Sequence, residues 1–227
     1  MTQHTPKSPL RRFLYQNGLS LVITTMVLLT LVGQTLTGWH EYNDDLKELR
    51  RPALSLGQYV TSGHWVEATF ENWESEFLQM ALYVVLTVSL RQKGSAESKK
   101  LDEEEEVDRE PDPSKADAPW PVRRGGLALW LYRRSLSITF FLLFLGAFFL
   151  HALGGKEVYN IEQQADGKTE VSLWGYMATS RFWFESLQNW QSEFLSIVAI
   201  VVLSIWLRQH GSPESKPVDA AYDETGK

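Results

Sequence analysis

Polarity along this chain changes in long blocks. Residues 18–36 hold only apolar residues, Ser, Thr and one Gln, with no charge. Nineteen residues make about 28 Å of helix, close to the roughly 30 Å of a bilayer core. A run of the same kind fills residues 136–153. Two more runs, 77–90 and 190–207, stop at Arg91 and Arg208. The strictly apolar part of 77–90 is short for a crossing, so its helix must draw the residues from Trp73 onward into or near the membrane. The pattern predicts four membrane-spanning helices, over 18–38, 72–91, 131–154 and 189–208. Between them lie a basic arm (1–17), outer loops (39–71 and 155–188), a linker (92–130) and a tail (209–227). A basic start before an apolar run also fits a signal peptide, but the run recurs internally and no small-x-small cleavage site follows it.

The chain repeats itself. Asn72-Trp73-Glu74-Ser75-Glu76-Phe77-Leu78 returns as Asn189-Trp190-Gln191-Ser192-Glu193-Phe194-Leu195, at a spacing of 117 residues that holds without a gap from 14–99 onto 131–216. Roughly a third of those positions are identical, enough to read a tandem duplication. Each unit contains two spans, so both units face the same way and are related by an axis along the membrane normal. The outer loops share Tyr42-Asn43 with Tyr159-Asn160, and Ser55-Leu56 with Ser172-Leu173. Ser at a helix start supplies a capping oxygen, which predicts a short helix after Ser55 and another after Ser172. The loops are dense in Trp and Tyr, residues that favour the headgroup level, so these short helices are expected to lie at the interface.

Charge orients the chain. Most Lys and Arg, including Lys7, Arg11, Arg12, Arg91, Lys93, Arg123, Arg124, Arg133, Arg134 and Arg208, fall on one side of the spans. The positive-inside rule places both termini and the linker in the cytoplasm of a cell whose plasma or inner membrane holds the chain. The net charge of −6 is local to residues 94–119, where ten Asp/Glu face four Lys/Arg. That acidic, Pro-containing linker is expected to be disordered, as are the arm and tail, and it argues against nucleic acid as a partner. The bilayer is the partner the composition implies; no protein partner is legible. Cysteine is absent, which removes disulfides and thiolate chemistry.

Candidate chemistry lies in the second and fourth spans. On a helical projection Asn72, Ser75, Glu76 and Gln79 share a stripe with Tyr83 and Thr87, and Asn189, Ser192, Glu193 and Ser196 form its counterpart. Polar groups in lipid need partners, so the stripe should face other helices. Glu76 lies fifteen residues above Arg91, about 22 Å up a core of about 30 Å. Ionisable residues at such depths are candidates for function. The plainer reading is that these groups hydrogen-bond neighbouring helices and lock the bundle, with the carboxylates favoured near a helix N-terminus. In the third span His151 stands where the first has Gln34, adding a group whose charge changes near neutral pH. His4, His40, His64, His151 and His210 show no zinc-site spacing, and no phosphate loop, nucleophile elbow or dinucleotide fingerprint is present. No metal, cofactor or catalytic residue is therefore expected.

The chain resembles a bacterial membrane-protein family, domain of unknown function 6766. Gly38-Trp39-His40-Glu41-Tyr42-Asn43, the signature from Glu71 to Leu78, Ala118-Pro119-Trp120-Pro121-Val122-Arg123-Arg124-Gly125-Gly126, Arg181-Phe182-Trp183-Phe184-Glu185 and the second signature from Gln188 to Leu195 carry the likeness. It implies a multi-span bacterial membrane protein and no activity, cofactor or catalytic residue. The expectation is an all-α integral membrane protein of four spans, non-enzymatic, with a structural or interaction role in the cell envelope. The alternative is a small cation- or proton-coupled translocator using Glu76 and Glu193, as a homodimer because four helices enclose little room for a pathway. A membrane enzyme without a recognisable motif is the third reading.

Overall fold

The computed structural model describes residues 8–226. Within them the chain is all-helical, with no strand. The helices are α1 (Pro9–Glu48), α2 (Leu56–Tyr59), α3 (Gly63–Ser89), α4 (Trp120–Arg124), α5 (Gly126–Tyr132), α6 (Ser135–Ala165), α7 (Leu173–Met177) and α8 (Ser180–Leu203), with one 3-10 turn at Glu106–Asp108. By length and composition, α1 and α6 are long and apolar enough to cross a membrane. Both of their apolar segments are largely unburied, with no buried residue in that of α1.

The helices overrun the expected boundaries at both ends of α1 and where α3, α6 and α8 meet the connections expected at 39–71 and 155–188. At their other ends α3 stops at Ser89, α6 starts at Ser135 and α8 stops at Leu203, inside the expected spans. Ser8 caps α1 and Pro9 occupies its first turn, where a missing N–H removes nothing. Of the arm expected at 1–17, residues 1–7, with Lys7, lie outside the described residues; the rest is helix from Pro9. At its other end α1 continues ten residues beyond the expected span to Glu48. Glu41, Leu46, Lys47 and Glu48 are good helix formers, and the first proline after them is Pro52. At 40 residues the helix is about 60 Å long, twice a bilayer core. α3 likewise starts at Gly63, capped by Ser62, and α8 at Ser180, capped by Thr179. The connections expected over 39–71 and 155–188 thus shrink to short turns around α2 and α7. Those two short helices follow Ser55 and Ser172, whose hydroxyls accept from Gln58 N and Gly175 N.

Residues 92–130 and 209–227, expected to be disordered, are described as far as residue 226 and contain hydrogen-bonded turns and α4 and α5. Gly94 N donates to Thr225 Oγ1 at 2.9 Å and Gly226 N to Ser95 O at 3.0 Å. Lys216 is buried, its Nζ donating to the carbonyls of Ala221, Tyr222 and Glu224. Composition missed these contacts because they join the linker to the tail, far apart in sequence. The acidic run at 102–106 remains mostly exposed.

The packing is uneven. α3 makes its most extensive contact with α6 and a smaller one with α8, while α1 touches α2 and α3 only lightly. Glycines set the α3–α6 distance. A Cβ on Gly63 would lie 2.7 Å from Gly154 O, and one on Gly154 would lie 2.5 Å from Glu67 N and 2.6 Å from Gly63 O. Backbones this close require residues without side chains, as at membrane helix crossings. Two aromatic clusters pack where α2 and α7 meet the longer helices. One gathers Tyr42, Leu46 and Tyr59 with Trp39, Leu54 and Trp65. The other gathers Ala152, Tyr176 and Phe182 with Phe148, Tyr159 and Val171.

Gly154→Ala should therefore destabilise the protein by about 1–3 kcal/mol, because the added methyl meets backbone that cannot move aside. Gly146, with open space around its Cβ position, is the control. Gly146→Ala should leave the thermal midpoint in detergent unchanged or raise it. Equal midpoints for the two variants would show that the crossing is looser than described.

Candidate functional site

Glu67, Glu71 and Glu74 lie at i, i+4 and i+7 on α3, within about 60° of one another on the helix. That face lies against α6. Gly155 makes room there, since a Cβ on it would meet Glu67 Oε1 at 2.7 Å and run into the Tyr176 hydroxyl. One turn before Gly155, His151 projects from α6 and is fully buried. α8 supplies Arg181, Glu185 and Trp190, and α7 supplies Tyr176.

His151 Nδ1 lies 3.1 Å from Glu74 Oε2, and both side chains are wholly removed from solvent. An ionised carboxylate only accepts, so Nδ1 carries the proton of this bond. Glu74 Oε1 accepts from Trp190 Nε1 at 3.1 Å, which ties α3 to α8. The other imidazole nitrogen is different. His151 Nε2 is buried and makes no hydrogen bond among the described residues. It faces Glu185 Oε2 at 3.6 Å and Glu71 Oε2 at 4.0 Å, both beyond hydrogen-bond reach. Glu67, His151 and Glu185 each bring one potential ligand atom to within 4.8 Å of the others.

Around this centre Tyr176 Oη donates to Glu185 Oε2 at 2.9 Å and approaches Glu67 Oε1 at 3.3 Å. Arg181 bridges Glu185 at 2.9 Å and Glu162 at 2.5 Å. The carboxyls of Glu67 and Glu185 precede the expected spans and respond oppositely. Burial, reinforced by the charge of Glu185, pushes Glu67 up to about 7. Burial alone would also raise Glu185, but His151, Arg181 and Tyr176 outweigh it and hold that carboxyl below the usual range. A cavity of about 410 Å³ reaches the cluster from the side, lined by Glu67, Glu71, Arg181 and Glu185 and by the end of α1 at Asp45 and Glu48. His151 and Glu74 lie behind it.

The residues singled out by the helical projection are distributed differently. Gln79 Nε2 donates to Ser196 Oγ at 2.6 Å and to Glu193 O at 2.8 Å, joining α3 to α8. Ser75 is buried and bonds back to Asn72 O. Asn72 and Asn189 bond back to Ala68 O and Glu185 O of their own helices. Glu76 and Ser192 are exposed and Glu193 is half-buried, so the paired glutamates form no enclosed site. His151, flagged from its exchange with Gln34, sits at the centre. Sequence reasoning missed Glu67, Glu71, Glu74, Tyr176, Arg181 and Glu185. The spacing of the three α3 glutamates was a readable signal, hidden because two of them were assigned to a loop.

The fold and the site define the class: an all-helical protein, with two helices fit to cross a membrane, that buries a histidine among carboxylates. The chain belongs to the family described as a domain of unknown function (DUF6766), which matches residues 10–227. No curated protein and no solved structure matches it.

Removing either member of a buried hydrogen-bonded couple leaves the other unsatisfied, at a cost of about 1–3 kcal/mol. Glu74→Leu and His151→Leu should each lose about that much in detergent unfolding, and the double variant clearly less than the sum of the two. Additive losses would mean that the two side chains do not interact.

Proposed function

We propose that this chain is a non-enzymatic, multi-span membrane protein that holds a cation in a chamber at the outer ends of its helices. The observation that carries the proposal is His151: Nδ1 is committed to Glu74, while Nε2 is buried without a hydrogen bond and faced by carboxylates. Isolated buried charges are expensive. Glu74 accepts from His151 and Trp190 and Glu185 pairs with Arg181, which leaves Glu67 and Glu71 without a cation of their own in the cluster. A bound cation supplies the missing charge.

Four spans in two parallel units, with both termini cytoplasmic, is the topology proposed for it. Matched contacts 117 residues apart support that reading. Asn43 brackets Leu54 as Asn160 brackets Val171. The Tyr59 hydroxyl abuts Gly38 as that of Tyr176 abuts Gly155. Gln79 bonds Ser196, its own counterpart. The exposed apolar surfaces of α1 and α6 suit lipid. A purely structural role is the second reading, favoured by the Trp190–Glu74–His151 chain that ties three helices together. The translocation reading gains little from Glu76 and Glu193, since Glu76 is exposed; the buried cluster is the better place for an ion.

The lack of cysteine makes topology directly testable. In intact cells, Thr61→Cys and Gly167→Cys should react with a membrane-impermeant maleimide, and Ser114→Cys and Ser212→Cys only after permeabilisation. The chamber is tested by melting the purified protein against a panel of monovalent and divalent cations. An ion at about 100 times its dissociation constant adds about 2.7 kcal/mol, which at this chain length raises the midpoint by roughly 5 °C or more. A midpoint indifferent to every cation leaves the structural role.

A further inference from the structure

The ligand atoms, their charge and the support behind the histidine narrow the cation. We propose that the chamber is a divalent transition-metal site, for an ion such as Zn²⁺, Mn²⁺, Fe²⁺ or Co²⁺, with His151 Nε2, Glu67 and Glu185 as ligands and Glu71 at its edge. This rests on the cation-chamber reading and specifies its occupant.

Three observations meet here. First, the group of potential ligand atoms from Glu67, His151 and Glu185 comes from three helices, so the bundle itself assembles it. Metal bonds of about 2.0–2.2 Å keep ligand atoms within about 4.4 Å of each other. The observed spread, up to 4.8 Å, closes with a shift of a few tenths of an ångström. Second, His151 has the support that ligating histidines use. Its Nδ1 donates to Glu74, whose other oxygen is held by Trp190. That bond fixes the tautomer, turns the Nε2 lone pair toward Glu67 and Glu185, and raises its basicity. Third, Nε2 is fully buried and without a hydrogen-bond partner, so the polar atom best suited to a metal is the one left unused.

The donor set separates ion classes. Mg²⁺ and Ca²⁺ favour all-oxygen shells, and Cu⁺ favours thiolate or thioether. One imidazole with two or three carboxylates suits borderline divalent ions. Carboxylates in excess of cations disfavour a monovalent occupant as the full charge match. Arg181 stays outside the coordination shell, since a guanidinium only donates. It orients Glu185 by holding Oε1, while Oε2, 3.6 Å from Nε2, accepts from the Tyr176 hydroxyl and has a further lone pair for the metal.

The experiment is isothermal titration of chelator-stripped, detergent-purified full-length protein with ZnCl₂, MnCl₂, CaCl₂ and NaCl, together with Zn-edge X-ray absorption. The expected result is one Zn²⁺ or Mn²⁺ per chain, bound at least about tenfold more tightly than Ca²⁺, with one imidazole nitrogen among oxygen ligands. Glu67→Gln and His151→Gln, the latter installing the residue found at position 34, should each weaken binding about 100-fold or more. Glu74→Gln, which acts only through the histidine, should weaken it about 10–100-fold. Metal-free melting curves of each variant separate lost ligation from lost folding. Preference for Ca²⁺ or Na⁺ overturns the transition-metal assignment while the cation chamber stands. Zn²⁺ binding that survives His151→Gln and shows no imidazole overturns it too. Binding of none of the four ions sinks both.

Discussion

The close crossing of α3 on α6 is the constraint from which the site follows. Gly63, Gly154 and Gly155 let the backbones meet where any side chain would collide with main chain or with Tyr176. Once they meet, the face of α3 carrying Glu67, Glu71 and Glu74 has nowhere to go except against His151. Burial then dictates the rest. Carboxylates taken out of water need compensation, and the structure provides it unevenly: a shared proton bond for Glu74, a guanidinium for Glu185, and a single phenol hydroxyl for Glu67. Burial accordingly pushes the Glu67 carboxyl up, while at Glu185 burial is outweighed by His151, Arg181 and Tyr176, which lower it.

Positions 117 residues apart share scaffold but not chemistry. Gly38 with Tyr59 and Gly155 with Tyr176 make the same tight contact. Yet His151 answers to Gln34, Glu185 to Ala68 and Arg181 to His64, while Glu67, Glu71 and Glu74 answer to Phe184, Gln188 and Gln191. In the first half the Tyr59 hydroxyl meets His64 Nδ1 at 3.1 Å, where in the second the Tyr176 hydroxyl meets two glutamates. The acidic residues of α3 and the basic and acidic residues of α6 and α8 thus complement one another across the linker. One cluster forms where strict symmetry would make two.

Hydropathy made α1 and α6 legible, because a run without charge has few alternatives to a helix that crosses or is buried. It misjudged their ends, because it marks where apolar residues stop and helices stop only where capping or proline intervenes, as at Leu49 and Pro52. The same error hid the site. A helix that begins at Asn72 leaves Glu67 and Glu71 in a loop and puts its polar face through Glu76, whereas α3 begins at Gly63. Which face of α3 is buried depends on its partner, and α6 lies across a linker that no local pattern bridges. His151 is legible from its mismatch with Gln34; its surroundings depend on the close α3–α6 contact that the glycines allow.

The cavity beside the cluster gives the charge imbalance a direction. Asp45, Glu48, Glu67, Glu71, Glu162 and Glu185 line it, against Arg181 and His64. Arg181 is already divided between Glu162 and Glu185, and His64 is biased toward its neutral form by burial. A cleft of one sign with low-dielectric walls focuses its field and raises the local concentration of the opposite ion. The acids at the end of α1 line the same cavity as Glu67 and Glu71 of α3, beside the buried Nε2 of His151. An anchoring network would need the Glu74–His151 pair alone; the additional acids along the cavity are what favour the proposed cation site.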